Sequence, residues 1–263
     1  MNSIIIPALA VGALGLAFGA ILAFASIVFK VDSDERIDKV SEILPGANCG
    51  GCGYAGCSAF AKEIVENGVN ATRCNLMTSE KAKLIADIMG TEMGEIVRKY
   101  AVVSCNGTCS VAKDKYIYQG TETCVAAARL AGGPKACEYG CLGLGSCVNA
   151  CNFGALSIVD GVACVDKEKC TGCGACANVC PKGLIKLIPY DTKSAFVKCN
   201  SKDKGVIVKD ICLNGCIGCR LCTKKCEAEA ITVDNNLASV DYTKCTNCGA
   251  CIEACPKKII VNI

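Results

Sequence analysis

Histidine is missing altogether from the 263 residues of this chain. That absence removes the usual axial ligand of haem, both imidazoles of a Rieske centre and the common imidazole-bearing zinc sites. It also removes the commonest general base, and with it any catalytic triad built on imidazole. Aromatic residues are scarce at 5%, so a core made of smaller side chains needs another staple, which bound metal can supply. No GxGxxG or Walker loop follows a strand-like run, so no nucleotide site is expected on this chain. Charge of one sign is not in large excess: the formal balance is +3. No nucleic-acid partner is expected, because part of the lysine excess can offset thiolate-bound clusters.

What the chain does have is cysteine, 26 in all. In a short secreted protein such a density suggests a disulfide scaffold. Here many cysteines stand two residues apart in CxxC steps, which suits metal centres better than long-range bridges. Thiolates and reduced clusters also survive better in a reducing compartment.

The N-terminus carries a second signal. Residues Ile4 to Phe29 include no charged side chain, and at ~1.5 Å per residue they are long enough to cross a ~30 Å hydrocarbon layer. A cleaved signal peptide fits less well, because no basic region precedes the run. Lys30, Arg36 and Lys39 follow it, which places the rest of the chain on the cytoplasmic side of the cytoplasmic membrane after a single pass. Gly15 and Gly19 form a GxxxG that would let a partner helix approach, although ordinary glycine content explains it as well. One span cannot form a transporter alone, so integral partners are expected.

After an amphipathic connector, Val31–Leu44, come Cys49, Cys52, Cys57 and Cys74, spaced C-x2-C-x4-C-x16-C. The stretch between Cys57 and Gly68 has helical apolar spacing at Phe60, Ile64 and Val65. Residues 79–100 read as further helix broken near Gly90. Residues 101–136 are the least legible, with YIYQGTE suggesting a short strand and turn. From Cys137 the chain repeats itself. CTGCGACANVC (170–180), CIGCRLCTKKC (216–226) and CTNCGACIEAC (245–255) share C-x2-C-x2-C-x3-C, and CEYGCLGLGSCVNAC (137–151) is a looser copy. Asp160-Gly161 and Asn235-Asn236 are hairpin turns between strand-like runs.

C-x2-C-x2-C-x3-C is the bacterial ferredoxin signature, in which the fourth cysteine serves the other cluster of a pair. That exchange predicts [4Fe–4S] sites at Cys216, Cys219, Cys222 with Cys255, and at Cys245, Cys248, Cys251 with Cys226. It likewise predicts Cys170, Cys173, Cys176 with Cys151, and Cys137, Cys141, Cys147 with Cys180. The set Cys49, Cys52, Cys57, Cys74 makes five. Zinc is the competing metal, though it usually takes two separated CxxC pairs. Cys105, Cys109 and Cys124 could hold a further cluster given a fourth ligand. Cys164, Cys199 and Cys212 read as packing residues.

The fold expected is thus α+β, with a transmembrane anchor (1–30) and then a linker with a small helical [4Fe–4S] domain (31–100). A connecting segment (101–136) follows, then two tandem ferredoxin-like modules (137–200 and 201–263). With LPGANCGGCGYAGCSAFA, KACEYGCLGLGSC and the ferredoxin repeats in this order, the chain resembles the iron–sulfur B subunits of Rnf respiratory complexes. The resemblance implies a membrane complex that oxidises soluble ferredoxin, reduces NAD and translocates Na+ or H+. This chain would be its electron-accepting subunit, with flavins and the NAD site on other subunits. A polyferredoxin of a membrane hydrogenase, or a membrane-anchored electron reservoir, are the competing readings. Lysines 182, 186, 193, 198, 202, 204, 224, 225, 257 and 258 could steer an acidic ferredoxin, or be an ordinary solvated surface.

Overall fold

The computed structural model describes residues 2–28, 34–92 and 97–263, with the side chains of 2–10 and 26–28 left aside. Helix α1 runs Asn2–Val28. Its described side chains, from Val11 to Ala25, are almost all exposed, Leu16 and Val11 among them. Among the described residues no helix is long and apolar enough to cross a membrane. Phe29 at the end of the expected run, Lys30 and residues 31–33 of the connector lie outside the described residues.

Three helices then build a small apolar core. They are α2 (Glu35–Ile43), α3 (Cys57–Asn67) and α4 (Ser79–Met89). Each start is fixed by a side chain. Asp34 accepts from the Arg36 amide, Asn48 accepts from the Cys57 amide at 2.7 Å, and Thr78 accepts from the Lys81 amide. Such caps satisfy amides that have no partner in the first turn. Gly68 and Gly90 end α3 and α4 in the left-handed conformation, which glycine adopts without a Cβ penalty. Val40, Phe60, Ile64 and Ile85 are buried between the helices, and each such side chain contributes roughly 1.5–3 kcal/mol.

The remainder consists of two β–α–β–β–α–β arrangements. The first holds β1 (Lys99–Val103), α5 (Cys124–Arg129), α6 (Ser146–Asn149), β2 (Leu156–Val159), β3 (Val162–Val165), α7 (Ala175–Val179) and β4 (Ile185–Pro189), with α5 an extra helix inside its first loop. The second holds β5 (Ala195–Val197), α8 (Gly205–Ile211), α9 (Leu221–Lys224), β6 (Ile231–Asp234), β7 (Leu237–Val240), α10 (Ala250–Glu253) and β8 (Ile260–Asn262). In each, the outer strands pair antiparallel and the inner pair is a hairpin. Tyr100 faces Ile188 and Phe196 faces Val261, while β2 pairs β3 and β6 pairs β7. The two-residue hairpin loops are Asp160-Gly161 and Asn235-Asn236, all at positive φ, which fits the right-handed twist of the strands.

Three details differ from the sequence expectation. Residues 99–103 form a strand, not the end of a helix, because they pair with β4 and bury Tyr100, Ala101, Val102 and Val103 in succession; residues 93–96 lie outside the described set. Strand pairing therefore ties 99–103 to 185–189 and 195–197 to 260–262, across the expected limits at 137 and 201. The YIYQGTE stretch forms no strand. Its Tyr116 hydroxyl instead donates to the Leu130 carbonyl at 2.6 Å, and that of Tyr118 to the Thr121 carbonyl.

Leu184 is 1% exposed and lies in the core beneath β1 and β4. Leu184→Ala should cost about 2–5 kcal/mol, read as a lower urea midpoint of the full chain.

Candidate metal centres

The cysteines of the opening motif converge because Asn48 pins the start of α3. Its Oδ1 takes the Cys57 amide, while Gly50 and Gly53 turn the loop at positive φ. Cys49, Cys52, Cys57 and Cys74 then line one cavity under Phe60. Cys74 is buried, and burial pushes its thiol pKa up, with the neighbouring Cys52, Cys49 and Cys57 adding to the rise.

In the second arrangement, Cys216, Cys219, Cys222 and Cys255 line a cavity floored by Val233 and Ile260. Cys251 has Cys226, Cys245 and Cys248 beside it. In the first, Cys176 has Cys173, Cys170, Cys147 and Cys151 as neighbours, and burial pushes its thiol up to about 12. The exchange of fourth cysteines read from the repeats would draw on these same groupings.

The fourth expected foursome does not assemble. Cys141, Cys147 and Cys180 line a cavity with Cys124, the first residue of α5. Cys137 faces elsewhere. The reason is visible on aligning CLGLGSCVNAC (141–151) with CIGCRLCTKKC (216–226). The two match at every cysteine but one: Leu144 stands where the second copy has Cys219. The loop before α5 fills that corner with Cys124, held by the Thr123 cap and a 2.8 Å bond from its amide to the Ser146 hydroxyl.

Cys137 joins Cys105, Cys199 and Cys212 around another cavity, between the two arrangements. Cys199 and Cys212 are therefore not plain packing residues. Burial pushes the Cys199 thiol up to about 11, and it raises those of Cys137 and Cys212 as well. The sequence carries a signal for this set. Cys-x3-Cys occurs at 137–141 and again at 212–216, and VSCN (103–106) is echoed by VKCN (197–200). Each arrangement thus supplies one cysteine just past its first strand and one four residues before its ferredoxin motif.

Cys109 and Cys164 lie outside these sets and both are exposed. Cys164 is not the buried packing residue that VACV suggests, because strand alternation turns it outward while Ala163 turns in. Among the described residues no three Cys, Asp or Glu side chains converge on a point that a single metal ion could occupy. The thiols stand instead around cavities, and backbone amides point at several of the sulfurs. Ala101 donates to Cys170, Ala155 to Cys151, Ala230 to Cys226, Cys141 to Cys105 and Cys216 to Cys199, at 3.3–3.4 Å. All-cysteine foursomes with amide N–H bonds to sulfur fit a [4Fe–4S] cluster, whose potential such bonds tune.

Comparison with known proteins agrees. An Fe-S cluster family matches residues 44–75, a 4Fe-4S binding domain 163–186 and a 4Fe-4S dicluster domain 215–260. The B subunit of the ion-translocating oxidoreductase complex of Methanosarcina acetivorans is 48% identical over 99% of both chains. The chain belongs to the family of Rnf-complex B subunits. The corresponding subunit of the Na(+)-translocating ferredoxin:NAD(+) oxidoreductase complex of Acetobacterium woodii is 44% identical over 99% of this chain and 78% of its own. That of the proton-translocating complex of Clostridium ljungdahlii is 41% identical over 97% and 91%. Relatives named for different ions are similarly close, so likeness in this subunit does not sort the complexes by ion. The chain is an iron–sulfur electron-transfer subunit of an ion-translocating oxidoreductase complex.

Two outcomes test the ligand sets. Cys199→Ser and Cys212→Ser should each remove about four irons and abolish the same spectroscopic signal, while Cys164→Ser removes none. Because burial holds free thiols such as Cys147, Cys176 and Cys199 protonated well above neutral pH, released ligands of this kind recapture protons. Chelator extraction of iron should therefore be faster at pH 6 than at pH 8.

Proposed function

We propose that the chain takes electrons from reduced ferredoxin and carries them through six [4Fe–4S] sites toward partner subunits in the membrane, for NAD reduction coupled to Na+ or H+ translocation. When bound, each cluster supplies one-electron redox chemistry. The residues proposed to hold them are the foursomes lining the cavities, with Cys124 replacing Cys137 beside Cys141, Cys147 and Cys180. Cys105, Cys137, Cys199 and Cys212 form the sixth.

The observation that carries this reading is that neighbouring sites touch through the chain in one unbroken series. Gly51 lies so close to Cys173 that a Cβ there would overlap the Cys173 carbonyl oxygen. Asn75, next to Cys74, donates to the Gly172 carbonyl at 2.7 Å. The N-terminal site thus abuts the Cys170–Cys176 site. Cys147 neighbours Cys176, the Cys141 amide meets Cys105, and the Cys216 amide meets Cys199. Cys222 and Cys251 share one core. A reservoir has no need of such an order, whereas a relay does.

In the C-terminal arrangement Cys219 is exposed, beside exposed Arg220, Leu221, Lys224 and Lys225. Val206 and Leu213 are exposed nearby on the same arrangement. A basic rim around apolar side chains suits an acidic ferredoxin. At the other end α1 exposes apolar side chains around its whole described length. A single membrane pass, with the remaining domains on the cytoplasmic side, fits that surface, because lipid can cover it as water cannot.

Three measurements test this reading. Anaerobically purified chain should hold about twenty-four irons, whereas five sites would give about twenty. Ferredoxin-dependent reduction should slow as ionic strength rises, and Lys224→Glu with Lys225→Glu should slow it at low salt. Asn75→Ala should leave the iron content intact yet slow onward transfer from the ferredoxin-like sites to the N-terminal one by an order of magnitude or more; an unchanged rate would remove the Gly51–Cys173 contact from the route.

A further inference from the structure

Lys135 is 4% exposed, the one lysine or arginine among the buried polar residues described. Its Nζ donates to two backbone carbonyls, Gly107 at 2.6 Å and Gly161 at 3.2 Å. Neither carries a charge, and Lys135 takes part in none of the ion pairs among the described residues. The carboxylate within electrostatic reach, Asp160, is exposed and bonded to Ser110, and a buried ammonium with only a solvated partner is costly. The candidate counter-ion is next to it, since Lys135 lines the same cavity as Cys105, Cys137, Cys199 and Cys212.

The placement is not a by-product of the repeat. Lys135 sits two residues before Cys137, and the matching position before Cys212 is Asp210. Asp210 is exposed and pairs with Lys113 at 2.6 Å. The two halves of the site are alike in their cysteines and differ in this one charge. The backbone locks that charge in place. Exposed Asp114 bridges to Lys135 through the backbone, Ala112 bridges to Cys212, and the amides of Lys113 and Ala136 bond to the Ile211 and Lys113 carbonyls. The ammonium is therefore fixed between the two arrangements.

We infer that Lys135 is the built-in counter-charge of the site formed by Cys105, Cys137, Cys199 and Cys212, and that it raises the reduction potential there. The inference rests on the six-site reading. Four thiolates around iron and sulfide carry net negative charge, and reduction adds one more electron to it. A fixed cation in a low-dielectric cavity favours the reduced form more than the oxidised one. Set between the two ferredoxin-like arrangements, the site takes up an electron more readily than it would without Lys135.

The test is a redox titration of the full, anaerobically purified chain, followed by electron paramagnetic resonance, for wild type, Lys135→Met and Lys135→Arg. In Lys135→Met the signal of this site should move furthest to more negative potential, with the iron content unchanged. Lys135→Arg, which keeps the charge, should restore the wild-type value. A Lys135→Met chain that loads fully and titrates like wild type overturns the inference. Should Lys135→Met lose about four irons, full loading of Lys135→Arg supports counter-charge, and an equal loss in Lys135→Arg overturns it. The wild-type iron count reports separately on the six-site reading, and a wild-type chain with only about twenty irons overturns both.

Discussion

A buried thiolate needs a cation, and this chain buries ten of its 26 cysteines and half-buries twelve more. Burial holds thiols such as Cys147 and Cys176 far above their ordinary titration range. In the absence of metal they are therefore neutral, weakly hydrogen-bonded groups around cavities. Iron and sulfide supply the missing charge and the missing contacts together. The make-up of the apolar cores shows how far the rest of the fold follows from this. In the two ferredoxin-like arrangements, cysteines sit within the core clusters beside Leu156, Leu184, Ile231 and Ile259. With aromatics scarce and the inner strands only four residues long, side-chain packing alone is a thin foundation. Metal binding and folding are then one free energy.

That dependence explains the close backbone contacts. Sites that exchange electrons must approach one another, and side chains would hold them apart. At Gly51 the chain removes the side chain, so that one site's loop rests directly on the Cys173 backbone. Asn75 then ties the two loops by a hydrogen bond. The same economy appears where the Cys141 and Cys216 amides bond to the sulfurs of Cys105 and Cys199. In each case one hydrogen bond both positions a ligand and links two sites.

Much of this is legible in the sequence, and what is not has a physical cause. Spacing alone marks the regular copies, because three cysteines on one tight loop are a local pattern. Hairpins at Asp160-Gly161 and Asn235-Asn236 are equally local, since positive φ restricts the residue types. Apolar period, with Gly68 and Gly90 as stops, announces the helices α3 and α4. What escapes is non-local. Nothing near Leu144 says that Cys124, twenty positions upstream, takes its corner. Nothing around Cys199 and Cys212 says that they face Cys105 and Cys137, except the faint echo of VSCN in VKCN and of CEYGC in CLNGC. The outer strands β1 and β5 escape because their partners lie far along the chain, at 185–189 and 260–262. Family likeness covers the whole length, yet the domain families matched leave residues 101–150 untouched. That is the stretch where the irregular sites are made.

The central claim is that thiolates from both ferredoxin-like arrangements close around a cluster between them. An anomalous-difference map recorded at the iron edge, on crystals of the anaerobically prepared protein, tests it most directly. The account predicts six iron peaks, one of them enclosed by Cys105, Cys137, Cys199 and Cys212, and another with Cys124 at its fourth corner. Five peaks, with no density at the interface and Cys137 beside Cys141, would contradict it.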